Sequence, residues 1–87
     1  MILLNSYSPR FDLVNARGDQ VGAFVCICQD GDKFEALVQP TAGGIAYGAE
    51  LYVRFDFFDG AEAYATEQVK KIEARFARLQ AKRMSSK

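Results

Sequence analysis

The stretch "ELYVRFDFFDGAEAYATEQVKKIEARF", residues 50–76, changes its apolar period halfway along. In its first part Leu51, Val53, Phe55 and Phe57 alternate with Glu50, Tyr52, Arg54 and Asp56. A period of two marks a half-buried antiparallel strand. After Asp59 the apolar residues fall at Ala65, Val69, Ile72, Phe76 and then Leu79, spaced by four and three, which is the stripe of an amphipathic helix. Asp59 is placed to accept hydrogen bonds from the free amides of a first helical turn, and Glu62 completes a spacing like that of a capping box. The pattern predicts a strand over 50–57 and a helix from after Asp59 to about Lys82.

Upstream of this junction the spacing is that of strands. Residues 34–39 form one, ended by Pro40. Residues 21–28, "VGAFVCIC", form another. Its Val21, Ala23, Val25 and Ile27 point one way and Phe24, Cys26 and Cys28 the other, so a central strand covered on both sides is expected. Residues 11–15 form a third, with an extension back toward Tyr7. "QDGDK" reads as a hairpin turn, and "ARGDQ" as a turn in which Gly18 takes a positive φ. The glycine-rich "PTAGGIAYGA", 40–49, reads as a long irregular loop. The expected fold class is α+β, a three- to four-stranded antiparallel sheet followed by one C-terminal amphipathic helix packed on one face. With 87 residues the chain holds one core, assigned to 1–83, with 84–87 as a flexible basic tail.

The formal net charge of zero hides a split. Residues 1–69 carry four basic and ten acidic side chains; residues 70–87 carry seven basic and one acidic. At about 100° per residue, Lys71, Arg75, Arg78 and Lys82 line up beside the apolar stripe, and Tyr64 continues their line. Ala63, Ala74, Ala77 and Ala81 take the far face. Three readings are open for the basic stripe. It complements the helix dipole and stays solvated. It meets an acidic protein surface or a second copy of the chain. Or it meets phosphates, against the repulsion of the acidic remainder.

The chemistry available is narrow. There is no histidine, so the commonest acid-base group near neutral pH is missing and neither cysteine has an imidazole to activate it. Cys26 and Cys28 are too few for a zinc site and read as two small buried thiols. "AGGIAYG" lacks the Lys-Ser/Thr of a phosphate loop. Ile45 and Tyr47 within it are candidate apolar anchors of a contact loop, and Tyr52 with Arg54 a candidate contact on the sheet face. No cofactor is expected.

The first residues lack the basic flank of a secretory signal, and the longest apolar run is too short for a membrane helix. A soluble cytoplasmic protein is therefore expected. The outline of strands and one helix resembles small accessory proteins of phages and plasmids, including inhibitors of bacterial defence systems. The expected function is that of a non-enzymatic protein-interaction module, self-association included, working through the basic helix edge or the 40–49 loop. The alternative is nucleic-acid binding through the helix.

Overall fold

The computed structural model describes residues 1–85. β1 (Ile2–Tyr7) and β2 (Arg10–Val14) both pair antiparallel with β3 (Gln20–Asp30). β3 pairs along its length with β4 (Lys33–Ala42), whose other edge carries β5 (Ile45–Ala46) and β6 (Leu51–Phe55). α1 (Phe58–Ser85) follows. The α+β class stands, with six strands instead of three or four. They fill only four ranks, because each outer rank is a single direction of chain broken in the middle.

Both breaks sit at residues that cannot continue a ladder. Pro9 lacks an N–H and separates β1 from β2, while its carbonyl accepts from Ala23 N at 3.0 Å and keeps the rank attached. Between β5 and β6 the chain leaves the sheet over 47–50. Pro40 faces this second gap. The N–H and C=O of one residue in an antiparallel strand point to the same side. Tyr47 N donates to Pro40 O at 2.8 Å, so the protonless nitrogen of Pro40 looks outward, and β4 runs through it to Ala42. The expected strand end at Pro40 and the expected irregular loop are corrected accordingly. Gly43 and Gly44, at φ +61° and +79°, form a two-residue turn that pairs Ala42 with Ile45.

One face of the sheet is the core. Val21, Ala23, Val25 and Ile27 of β3 and Ala36 and Val38 of β4 lie under Ala61, Ala65, Ile72 and Phe76 of α1, all buried. The two helix alanines let its first turns approach the sheet closely. Burial of a side chain the size of Ile27 contributes about 1.5–3 kcal/mol. The other face has no cover: Phe24 is exposed, and Cys26 and Cys28 are half-buried free thiols. A single helix supplies a single layer, so the expectation of β3 covered on both sides fails. Burial, then the neighbouring Cys28, push the Cys26 thiol above its ordinary range and keep it protonated.

α1 begins one residue before Asp59, which sits inside the first turn and complements the dipole from there. The first backbone bond runs from Ala61 N to Phe57 O at 3.4 Å. Phe57, expected to face inward, is exposed. Phe58 turns in instead and meets Phe34 edge-to-face at 6.2 Å. Tyr64 packs on Phe55 at 5.4 Å and is half-buried, so it does not extend the basic stripe. Leu79, the last residue of the predicted stripe, is exposed. The helix continues to Ser85, so Met84 and Ser85 of the expected tail are helical; its last two residues lie outside the described ones. Near its end Val14 N donates to Gln80 Oε1 at 2.8 Å, and Arg83 Nη2 donates to Val14 O at 2.7 Å, tying α1 to the outer edge of β2. Among the described residues no helix is long and apolar enough to cross a membrane.

Candidate functional site

Helical spacing of four and three puts Lys71, Arg75 and Arg78 on one flank of α1. The chain leaving β4 returns beside this flank. Between them lies a groove of about 470 Å³, with Pro40, Leu51 and Ile72 in its apolar lining and the three basic side chains along it. Two features that are far apart in sequence thus become one site.

The return segment is anchored. The Gln39 side chain donates from Nε2 to Pro40 O at 2.9 Å and to Gly48 O at 3.1 Å. The Tyr47 ring lies against the Phe76 ring, centroids 6.0 Å apart. The Arg75 guanidinium sits 5.9 Å from the same Phe76 centroid, within the range of a cation–π contact. Phe76 therefore meets both the return segment, through Tyr47, and the Arg75 side chain.

The candidate residues do not share one site. Lys71, Arg75 and Arg78 line the groove, whereas Lys82 lines a smaller recess of about 350 Å³ with Tyr47, Leu79 and Asn15. Ile45 stands at the turn, 72% exposed, away from both basic groups. Among the described residues the salt bridges involve Lys33, Arg54, Asp30, Glu35 and Asp56, and none includes Lys71, Arg75 or Arg78. The positive field of the groove is not neutralised from within.

Tyr52 and Arg54 stand on the opposite, uncovered face of the sheet. Arg54 Nε lies 3.1 Å from Glu35 Oε2, and its Nη2 lies 3.3 Å from Asp30 Oδ2. Arg54 thereby ties β6 to β4 and to the end of β3. Glu35 is only 5% exposed, although its strand face is the uncovered one. Hydrogen bonding to Glu35, then burial and the Glu35 charge, hold the Tyr52 phenol above its ordinary range. The sequence carries no signal for the burial of Glu35, because it arises from residues of the adjacent strands β3 and β6 and not from its own segment. Nor does it single out Pro40, Leu51 or Gln68 as groove residues, since each reads locally as a strand or helix position.

Lys33 and Asp56 form an ion pair at the same end of the sheet. Its hydrogen bond and charge lower the Asp56 carboxyl and raise the Lys33 ammonium. Asp56 thus contributes stability above the ordinary carboxylate pKa that is lost as pH falls through its lowered one. Lys33 contributes below the ordinary lysine pKa and loses it as pH rises through the raised one. An NMR titration of the Asp56 carboxyl carbon is expected to give a midpoint below the ordinary aspartate range in the native protein and within it in Lys33→Ala. The same midpoint in both proteins would contradict the pairing.

Comparison of the chain with protein-family models, with curated proteins and with solved structures finds no match.

Proposed function

We propose that this chain is a small non-enzymatic binding module that takes an acidic segment of a protein partner into the groove between α1 and residues 40–51. The observation that supports it is the set of three basic side chains, outside every salt bridge of the described residues, beside an apolar lining. An extended segment with alternating acidic and apolar residues satisfies both parts. Charges aligned this way speed association and set register, and the apolar floor supplies affinity. A role as a phage- or plasmid-type inhibitor fits the same geometry, with the bound segment belonging to the inhibited protein.

Nucleic acid is the second reading, favoured by the same cations. Phosphate contacts would make affinity fall steeply with salt, by roughly 0.9 log unit per log unit of salt for each neutralised phosphate of a duplex. Fluorescence anisotropy separates the two. The probes are labelled peptides alternating Glu or Asp with Leu or Phe, and labelled single- and double-stranded DNA, each at two salt concentrations. Peptide binding that survives the higher salt is expected, and the combined change Lys71→Ala, Arg75→Ala, Arg78→Ala should weaken it by about tenfold or more. Tight DNA binding lost at the higher salt would move the assignment to nucleic acid. Peptide affinity unchanged by the triple substitution would remove the groove from consideration.

A further inference from the structure

The register of β2, β3, β4 and β5 lays one row of residues across the sheet. Arg10 pairs with Gly22, Gly22 with Thr41, and Thr41 with Ala46. Residues opposed in antiparallel strands share a face. Val21 and Ala23, on either side of Gly22, lie in the core, so the row belongs to the uncovered face. In the next row Phe24 stands opposite Gln39. The first row has no side chain at its second place and only a methyl at its fourth. A depression is left there, beside the Phe24 ring.

Main chain walls this depression on two sides. A Cβ added to Gly22 would point to the uncovered face and meet Pro9 O at 2.4 Å and Arg10 Cα at 3.2 Å. The outer rank therefore curls onto that face at the break between β1 and β2. The Gly43–Gly44 turn lines the cavity from the other side. The cavity measures about 580 Å³, more than the groove beside α1, and no residue lines both. Pockets for small ligands run from about 300 to 1,000 Å³.

The lining specifies a chemistry. Arg10 is its one charged residue, no carboxylate lines the cavity, and the guanidinium enters none of the salt bridges of the described residues. This cation stands in the acidic part of the chain, where residues 1–69 carry four basic and ten acidic side chains. A planar guanidinium matches a carboxylate with two parallel hydrogen bonds. Phe24 is 38% exposed and offers its ring to an offset or edge-on aromatic partner. Gln39 commits its amide nitrogen to Pro40 O and Gly48 O, so the group it can still offer is the amide oxygen, an acceptor. A phosphate monoester, with a charge of about −1.5 to −2, would meet one cation and no lysine here.

We propose that this cavity binds a small planar aromatic carboxylate that carries a hydrogen-bond donor. Arg10 holds the carboxylate, Phe24 packs against the ring, and the Gln39 oxygen accepts from the donor. The site goes beyond the groove and does not depend on it.

The probe is 4-hydroxybenzoate, titrated to about 10 mM while the amide resonances of isotope-labelled protein are followed. Saturable shifts are expected at Gly22, Phe24, Thr41 and Gly43 and not at Arg75 or Arg78, with a Kd of about 1 mM or below, which suits so small a ligand. Arg10→Gln should weaken binding about tenfold or more, because it removes the charge from the hydrogen bonds. Phe24→Leu should weaken it about two- to tenfold. Both positions are exposed, and circular dichroism checks that each variant folds. The neutral 4-hydroxybenzamide should bind the wild-type protein about tenfold more weakly than the carboxylate, which decides the matter if Arg10→Gln does not fold. Acidic-peptide binding by the groove should be equal in Arg10→Gln and wild type, which keeps the two sites apart. No saturable shift, an affinity unchanged in Arg10→Gln, or equal affinity for the amide would each overturn the proposal. So would shifts centred on the groove, or phenyl phosphate binding more tightly than the carboxylate.

Discussion

Phe76→Ala is expected to destabilise the domain by about 3–5 kcal/mol, the range for removing a buried phenylalanine from a packed core. Phe76 is 5% exposed and lies where α1, the sheet and the 40–51 segment meet. Its removal takes away core volume under the second half of the helix. It also takes away the ring that Tyr47 rests on and the aromatic face beside the Arg75 guanidinium. A domain of this size has a total stability near the low end of the usual range of about 5–15 kcal/mol, so the variant should be close to its unfolding threshold at room temperature. The melting temperature should fall by at least about 12 °C, taking about 4 °C as the smallest shift per kcal/mol in so short a chain. Leu79→Ala, one turn further along on an exposed position, should cost less than about 1 kcal/mol. Thermal melts followed by circular dichroism compare the two. Similar small losses for both would mean that the second half of α1 is not docked on the sheet.

Gly22→Ala should be the most damaging single methyl added to the chain. A Cβ at Gly22 would lie 2.4 Å from Pro9 O, 3.2 Å from Arg10 Cα and 3.4 Å from Pro9 C, all of them backbone. No rotamer change relieves contacts with main chain. The segment at Pro9 has to move, and with it the bond from Ala23 N to Pro9 O that holds the broken outer rank to β3. Overpacking of this kind costs about 1–3 kcal/mol, and the upper end is expected because the obstacle is rigid. Gly18→Ala is the contrasting case. Its φ of +85° opposes a side chain, but nothing lies within 4 Å of the added carbon. A cost of about 1–2 kcal/mol from left-handed backbone is expected there. In Gly22→Ala the amide shifts should spread from Ser8 to Arg10 and into β3, whereas in Gly18→Ala they should stay within the turn. Equal losses in urea unfolding, with shifts confined to residue 22, would show that β2 and β3 do not approach so closely.

What the sequence carries and what it does not divides along a physical line. β6 was legible because one of its faces meets a core and the other meets water, which writes a period of two into its residues. α1 was legible because one stripe is buried, which writes a period near 3.6. β1 carries no such pattern: neither of its faces is covered, so nothing forces its residues to alternate, and "ILLNSY" passes as an unassigned apolar start. β3 misled in the opposite sense, since Phe24, Cys26 and Cys28 are apolar on the face that stays open. The double glycine at 43–44 reads locally as irregularity, although two adjacent residues able to adopt positive φ are what a tight hairpin turn needs.

The site divides along the same line. Lys71, Arg75, Arg78 and Lys82 could be placed on one helical flank from their spacing, because the helix period is a local rule. That Tyr47 would fold back onto Phe76, with Lys82 in a recess apart from the other three, depends on where the chain travels after Pro40. That Arg54 would be tied to Glu35 and Asp30 depends on the register of β3, β4 and β6. The sequence by itself determined the class of fold, the order of strands before helix, and the split between an acidic first part and a basic end. Those follow from periodicity and composition, which each segment carries within itself. Only the tertiary structure decided which face is bare and which cations share a groove, because each of these is a relation between segments far apart in the chain.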